Sequence, residues 1–143
     1  FAYGKMVVIE EFIVGTEVAV TVVDGPDGLV ALPPVEIHPA SGVYDYEARY
    51  TAGATRFVTP GELPEAELEA ARELAVRAHQ ALGQRDISRT DAIIRDGRPV
   101  FLESNVAPGL TETSLAPLAF EAAGLDVGEV YAGLIEQARL RGH

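Results

Sequence analysis

ISRTDAIIRDGRPVFLESN, residues 87–105, decides the fold of this chain. Two apolar runs, Ile87 to Ile94 and Val100 to Asn105, flank Arg95-Asp96-Gly97-Arg98. Runs rich in β-branched and aromatic residues on either side of an Asp-Gly turn signal read as a β-hairpin. Upstream the pattern is similar. Met6 to Val14 is rich in Val and Ile and reads as a strand, Glu17 to Val23 alternates, and Asp24-Gly25-Pro26-Asp27-Gly28 turns into Leu29 to Ile37. Pro33-Pro34 inside that third run marks an edge position or a break, because proline cannot donate to a ladder. His38 to Thr59 is polar, carries tyrosines at 44, 46 and 50, and has no clear period, so it reads as a long functional loop.

Pro64 opens a helix, where a missing N–H is tolerated. Leu68, Ala71, Leu74, Ala75, Ala78 and Leu82 recur at helical spacing, and Gly83 ends the run. Ser114 to Ala123 is a short helix stopped by Gly124. Asp126 and Glu129 form an N-terminal capping pair for a last helix with a buried stripe of Val130, Leu134, Ile135 and Ala138. The order β-β-β-loop-α-β-β-α-α has hairpins and few crossovers. It predicts an α+β fold, a mostly antiparallel sheet with helices on one face, as one domain over residues 1–143.

The chain has 143 residues, 48% hydrophobic and 23% charged, which is a globular composition. It has no cysteine, so disulfide frameworks and thiolate metal sites are excluded. A net charge of −11 argues against a basic nucleic-acid face, and no apolar run approaches the ~20 residues of a membrane span. The chain starts at Phe1 rather than Met and runs directly into an apolar strand, so we expect a piece of something longer.

The chemistry concentrates in FLESNVAPGLTETS, residues 101–114. Residues two apart on a strand share a face, so Glu103 and Asn105 offer oxygen ligands side by side, suited to a hard cation such as Mg²⁺. Arg89 and Asp91 repeat the spacing with a cation and an acid. Asp91, Glu103 and Asn105 are therefore either a metal site or solvated hairpin residues. Arg89 is either a surface arginine or a bidentate partner for phosphate. Register discriminates. If Asp96-Gly97 were a two-residue turn in a regular hairpin, Asp91 would pair with Leu102, and Asp91 and Glu103 would face opposite sides. A shared metal therefore requires a loop of odd length, and a three-residue loop with Gly97 as a left-handed bulge supplies it. Arg89 would then lie opposite Glu103, with Asp91 diagonal. The Pro108-Gly109 turn is a plain turn or a backbone oxyanion donor, since glycine permits close approach. Ser114 is a helix cap and a candidate carboxylate contact. Glu10, Glu11 and Glu17 flank apolar runs and alone read as surface. His38, His79 and His143 have no ligand spacing.

At these motifs the chain resembles the C-terminal part of D-alanine–D-alanine ligases, of the ATP-grasp superfamily. The resemblance rests on VVIEEFIVGTEVAV (7–20), ALPPVEI (31–37), YDYEARY (44–50), SRTDAII (88–94) and FLESNVAPGLTETSL (101–115). It implies a cytoplasmic, ADP-forming ligase for peptidoglycan precursors. ATP phosphorylates the carboxylate of one D-alanine, and the amine of a second attacks the acyl phosphate. The implied cofactors are ATP and two Mg²⁺ ions, with Mn²⁺ as a substitute. The implied metal ligands are Asp91, Glu103 and Asn105. Arg89 would meet the transferred phosphate and substrate carboxylate. Gly109 would donate to the oxyanion, and Ser114 would contact the second D-alanine. Glu10, Phe12 and Ile13 resemble the adenine segment, Glu17 the ribose acid, and Leu102 the residue under the base. Tyr44 to Tyr50 resembles a lid, with Tyr50 at the second substrate. The implied partners are D-alanine, ATP and the absent N-terminal and central portions, so that this chain holds about half of an active site. The resemblance also implies a homodimer at full length, with neither nucleic acid nor membrane as partner. The chain departs from the family at Glu11 and Arg49, where Lys is frequent, and at Ser104, usually apolar.

Two rivals remain. One is another ATP-grasp ligase, such as one making a D-alanyl–D-lactate depsipeptide, whose lid differs from YDYEARY. The other is a non-catalytic acidic domain that binds a divalent cation or a protein.

Overall fold

A computed structural model describes residues 4, 7–25, 28–44, 46, 48, 51, 53–111 and 114–141. Its strands are β1 (Thr16–Gly25), β2 (Gly28–Ala31), β3 (Val35–Pro39), β4 (Thr55–Val58), β5 (Ile87–Arg95) and β6 (Arg98–Asn105). Its helices include α1 (Glu65–Ala81), α2 (Leu115–Ala122) and α3 (Val127–Arg141), and Tyr46 and Ala48 are also helical. The strands form one sheet in the order β4-β3-β1-β5-β6, with β2 also on β1, and every pairing is antiparallel. That is the expected α+β sheet.

β1 is central, and its alternate residues enter two cores. Val18, Val20 and Val22 pack with Ala92 and Ile94 against Ala71 and Ala75 of α1. Ala19 packs with Leu32, Val35 and Ile37 against Leu115, Ala116, Ala119 and Phe120 of α2. The helices thus occupy both faces rather than the single face expected. A central strand buried on both sides favours apolar residues at successive positions, which is how VAV of 18–20 reads, with Thr21 the buried polar residue that follows.

Pro33-Pro34 is a break, separating β2 from β3 along the same edge of β1. The stretch 38–59 is not all loop, because Thr55–Val58 forms the edge strand β4 on β3. Four residues carry too little alternation to announce a strand. Met6 lies outside the described residues, and Val7 to Val14 form no strand. Val8, Ile9 and Phe12 are 84%, 90% and 73% exposed, respectively. β-branched residues confer a preference for extended backbone, but a strand exists only with a neighbour to bond.

Pro64 is the residue before α1, its carbonyl accepting from the amides of Glu67 and Leu68. The buried stripe is Leu68, Ala71, Ala75 and His79, while Leu82 is exposed. His79, to which the sequence assigned nothing, is buried and hydrogen-bonds Ser88 Oγ at 2.7 Å. Glu129 N–H donates to Asp126 Oδ1 at 2.9 Å, the expected capping contact. The expected buried stripe on α3 is absent, since none of its residues is buried and Ile135 is 69% exposed. Periodicity marks an apolar face but not whether anything covers it. Only Val127, Val130 and Tyr131 of α3 pack against the α2 core.

Candidate functional site

β5 and β6 meet through Asp96-Gly97, with Arg95 paired to Arg98. Both turn residues have positive φ, 52° and 77°, as a two-residue primed turn requires. The three-residue loop expected from the sequence is therefore not formed, although Gly97 has the positive φ foreseen. The odd residue lies further along. Ala92 pairs with Phe101 but Asp91 pairs with Glu103, so Leu102 is a bulge in β6. The bulge reverses the parity that the two-residue turn imposes. Asp91 faces Glu103 directly and Arg89 faces Asn105, so all four share one sheet face. The shared face is as expected, but the partners are exchanged relative to the looped register.

The opposite face locks this register. Thr90 Oγ1 and Ser104 Oγ are 3.2 Å apart, and Ser104 Oγ donates to Gln84 Oε1 at 3.0 Å. A slip of one residue would bring Ser104 to the wrong face and lose both bonds.

Arg89 and Asp91 are 8% and 4% exposed, and the guanidinium donates twice to the carboxylate, Nε to Oδ1 and Nη2 to Oδ2, both at 2.7 Å. Burial by itself would depress the Arg89 pKa. The hydrogen bonds and charge of Asp91, with the charges of Glu103 and Tyr44, outweigh it and raise the value. The arginine is a permanent cation at the centre of the acids. Tyr44 sits beside it, half-buried, its ring meeting Phe57 edge-on at 6.2 Å. Ala19, the β1 partner of Asp91, and Glu17 two residues before it lie on the same face as the cluster.

Among the described residues no three His, Cys, Asp or Glu side chains gather as a metal cage. Two carboxylates and an amide oxygen on one face are a hard donor set short of a full shell. That fits Mg²⁺, which binds through one or two carboxylates and completes its octahedron with water and substrate phosphate. Asn105 Oδ1 already accepts from Ala107 N–H at 3.1 Å, which orients the amide.

The following turn runs under the N-terminus of α2. Ser114 precedes that helix, but its hydroxyl makes no capping bond, contrary to the cap reading. It turns back to Thr111, with Oγ 2.8 Å from Thr111 Oγ1 and accepting from Thr111 N–H at 3.3 Å. A Cβ on Gly109 would come within 2.6 Å of Ser114 Oγ, so any larger residue there must displace the Ser114 hydroxyl. Tyr131 of α3 donates its hydroxyl to Leu110 O at 2.9 Å, a contact that no sequence motif announces.

The other expected residues are more scattered. Glu10 and Phe12 are exposed and Ile13 is half-buried in the segment before β1, tied to the hairpin by Arg95 Nη1 to Glu11 Oε1 at 2.8 Å. Leu102 is 39% exposed at the bulge. Tyr50 and Arg49 lie outside the described residues. The structure thus brings together Arg89, Asp91, Glu103 and Asn105, and places Gly109 against Ser114.

The family model described as "D-ala D-ala ligase C-terminus" matches residues 1–136. A D-alanine–D-alanine ligase of Pelotomaculum thermopropionicum is 42% identical over 139 residues, covering 96% of this chain and 43% of that protein. One from Leptospira interrogans is 41% identical over 140 residues, covering 95% of this chain and 40% of that protein. The chain thus spans about two-fifths of the length of these relatives. Among solved structures, the D-alanine–D-alanine ligase of Bacillus anthracis complexed with ATP matches with TM-score 0.74 and 27% identity over 92% of this chain and 41% of that one. The VanG D-Ala:D-Ser ligase of Enterococcus faecalis also matches with TM-score 0.74, at 32% identity over 88% of this chain and 37% of that one. The chain belongs to the D-alanine–D-alanine ligase C-terminal family.

Proposed function

We propose that this chain is the metal- and phosphate-binding portion of an ATP-dependent ligase that joins two D-alanines for peptidoglycan precursor synthesis. The observation that carries the reading is the bulge at Leu102, which sets Glu103 opposite Asp91 and Asn105 opposite Arg89 on one face. Two carboxylates, an amide and a permanent cation then converge where a phosphoryl group would be neutralised from both sides.

Asp91, Glu103 and Asn105 would hold Mg²⁺, which when bound supplies electrostatic clamping of the nucleotide phosphates. Arg89 orients the transferred phosphate and the carboxylate that receives it, its own geometry set by Asp91. The Gly109 backbone N–H faces the charge that develops when the amine attacks the acyl phosphate. Ser114 Oγ, free of capping duty, contacts the carboxylate of the acceptor. Glu10, Phe12, Ile13 and Leu102 provide the adenine surface and Glu17 the ribose contact. Tyr50 serves the acceptor from the lid. The similarity to a D-Ala:D-Ser ligase favours a second reading of the acceptor alone, with D-serine in place of the second D-alanine.

The test is product analysis by mass spectrometry on the full-length protein that carries this sequence. ATP, Mg²⁺ and D-alanine are expected to yield ADP and D-alanyl-D-alanine, with D-serine and D-lactate as competing acceptors. Absence of any ligated product, with ATP still bound, would overturn the reading. Preference for D-serine would move it to the second acceptor.

A further inference from the structure

We propose that Tyr131 is a positioning residue that holds the Gly109–Leu110 turn in place for the acyl-transfer step. The inference rests on the reading of Gly109 as the oxyanion donor.

The turn after β6 is exposed on either side of Pro108, the one buried residue from Val106 to Leu110; Val106 is 67% and Leu110 42% exposed. Its described ties within the segment are short-range, Asn105 to the Ala107 amide and Thr111 to Ser114. Tyr131 adds a bond from another element, its hydroxyl donating to Leu110 O at 2.9 Å across 21 residues of sequence. The donor is rigidly mounted. The Tyr131 ring meets Phe120 edge-on, with centroids 6.3 Å apart and planes at 79°, and Phe120 is fully buried. Phe120 lies in α2, the helix that Ser114 precedes. One aromatic pair therefore refers the turn to the helix carrying the acceptor contact.

α3 has no fully buried residue; Val127, Val130 and Tyr131 rest on the α2 core at its start, and polar groups seat the rest. At its far end Gln137 Nε2 donates to Asp24 O at 2.9 Å, and Arg141 forms a two-pronged ion pair with Asp86. Asp86 is fixed in turn, its carbonyl accepting from Asp24 N–H at 2.8 Å. The helix is a strut, clamped by polar groups at one end and bearing on the turn at the other. A peptide plane held in this way is preorganised, and small misplacement of such groups is costly to chemistry rather than to substrate binding.

Tyr131→Phe keeps the ring on Phe120 and removes only the donor. In the full-length protein we expect kcat for dipeptide formation to fall about five- to tenfold, the order of one lost hydrogen bond, with KM for ATP unchanged and the melting temperature lowered by no more than a few degrees. Arg141→Ala, which loosens the strut from its other end, is expected to act in the same direction and less strongly. Hydrogen exchange gives a readout independent of turnover, in which the Leu110 and Thr111 amides should exchange faster in Tyr131→Phe. An unchanged kcat, or equal changes in kcat and ATP KM, would overturn the positioning role. Unchanged exchange at both amides would overturn the tether itself. A full-length parent that makes no dipeptide although the tether is present would defeat the reading of the site, and the positioning role with it.

Discussion

Arg89 and Asp91 are both at least nine-tenths buried, and each satisfies the other through two hydrogen bonds. Such a pair can roughly break even against hydrophobic packing, but removing one member strands a buried charge, at a cost of about 3–5 kcal/mol. Arg89→Ala should therefore destabilise the protein by several kcal/mol in urea unfolding. Glu103 is exposed and has no such partner to strand, so Glu103→Gln should move stability by less than about 0.5 kcal/mol. On the metal role proposed for Glu103, the same change in the full-length protein should reduce turnover at least a hundredfold. Equal stability losses for the two variants would contradict this division between structural and chemical roles. The pKa of Arg89 is raised in the folded state. Its contribution is thus fully present below the unfolded value and lost only as pH rises through the still higher folded value. Stability should not vary between neutral and mildly alkaline pH on its account. Gly109 and Ser114 are coupled by contact. Gly109→Ala should impair turnover, and Ser114→Gly in the same protein should relieve part of the steric loss, because the 2.6 Å clash is with the Ser114 hydroxyl. Additive effects in that double variant would rule out the contact as the cause.

At the scale of elements, the β5–β6 hairpin combines two devices that set parity. The two-residue turn needs positive φ at Asp96 and Gly97, and an L-residue with a Cβ pays about 1–2 kcal/mol in that region. Gly97→Ala should cost about that much in thermal or chemical unfolding without altering nucleotide affinity. A neutral result would mean that the turn is not of this type. The bulge at Leu102 then restores the face that the turn removes, and the Thr90–Ser104–Gln84 bonds hold it. The sequence made the shared face a conditional statement, correct about the face and wrong about where the extra residue sits. Both solutions satisfy the same parity, and local turn propensity cannot choose between them. α3 shows a related limit. Its apolar spacing is clear, but its covered side is Val127, Val130 and Tyr131, not the stripe that includes Ile135 and Ala138.

Across the whole molecule, the sheet has cores on both faces and the site lies on the α2 face, while the segment Val7 to Val14 is tied to the turn end of the same hairpin through Glu11 and Arg95. That segment exposes Val8, Ile9, Phe12 and Val14. Contiguous apolar exposure of this kind marks a surface made for contact. Replacing Val8 and Ile9 by Lys should leave the unfolding free energy within about 0.5 kcal/mol, since neither is buried. A large loss of stability would show that the segment is packed in solution. The relatives are more than twice as long as the stretch this chain matches. We accordingly predict that the chain of 143 residues alone, given ATP, Mg²⁺ and D-alanine, releases no phosphate above background. Enclosure of the nucleotide is part of the proposed catalysis, and a chain spanning about two-fifths of its relatives is expected to leave the nucleotide open to water. Turnover by the chain alone would overturn both the assignment of roles and the expected need for further segments.

The sequence by itself determined what short-range physics controls. The Asp-Gly turn, the alternation in β1, the span of α1 between Pro64 and Gly83, and the acid and amide two apart on β6 each follow from residues within a few positions of one another. The family resemblance added roles that no spacing supplies. Tertiary structure alone decided which faces the helices cover, that His79 is buried against Ser88, that Val7 to Val14 form no strand, and that Ser114 turns toward Thr111 instead of capping α2. It also placed the bulge at Leu102, on which the arrangement of the acids depends. Apart from the Ser114–Thr111 contact, which is local, these outcomes turn on contacts between residues separated in the chain. Their free energies are set by what happens to be opposite, and a linear pattern of apolar and polar residues does not encode that partner.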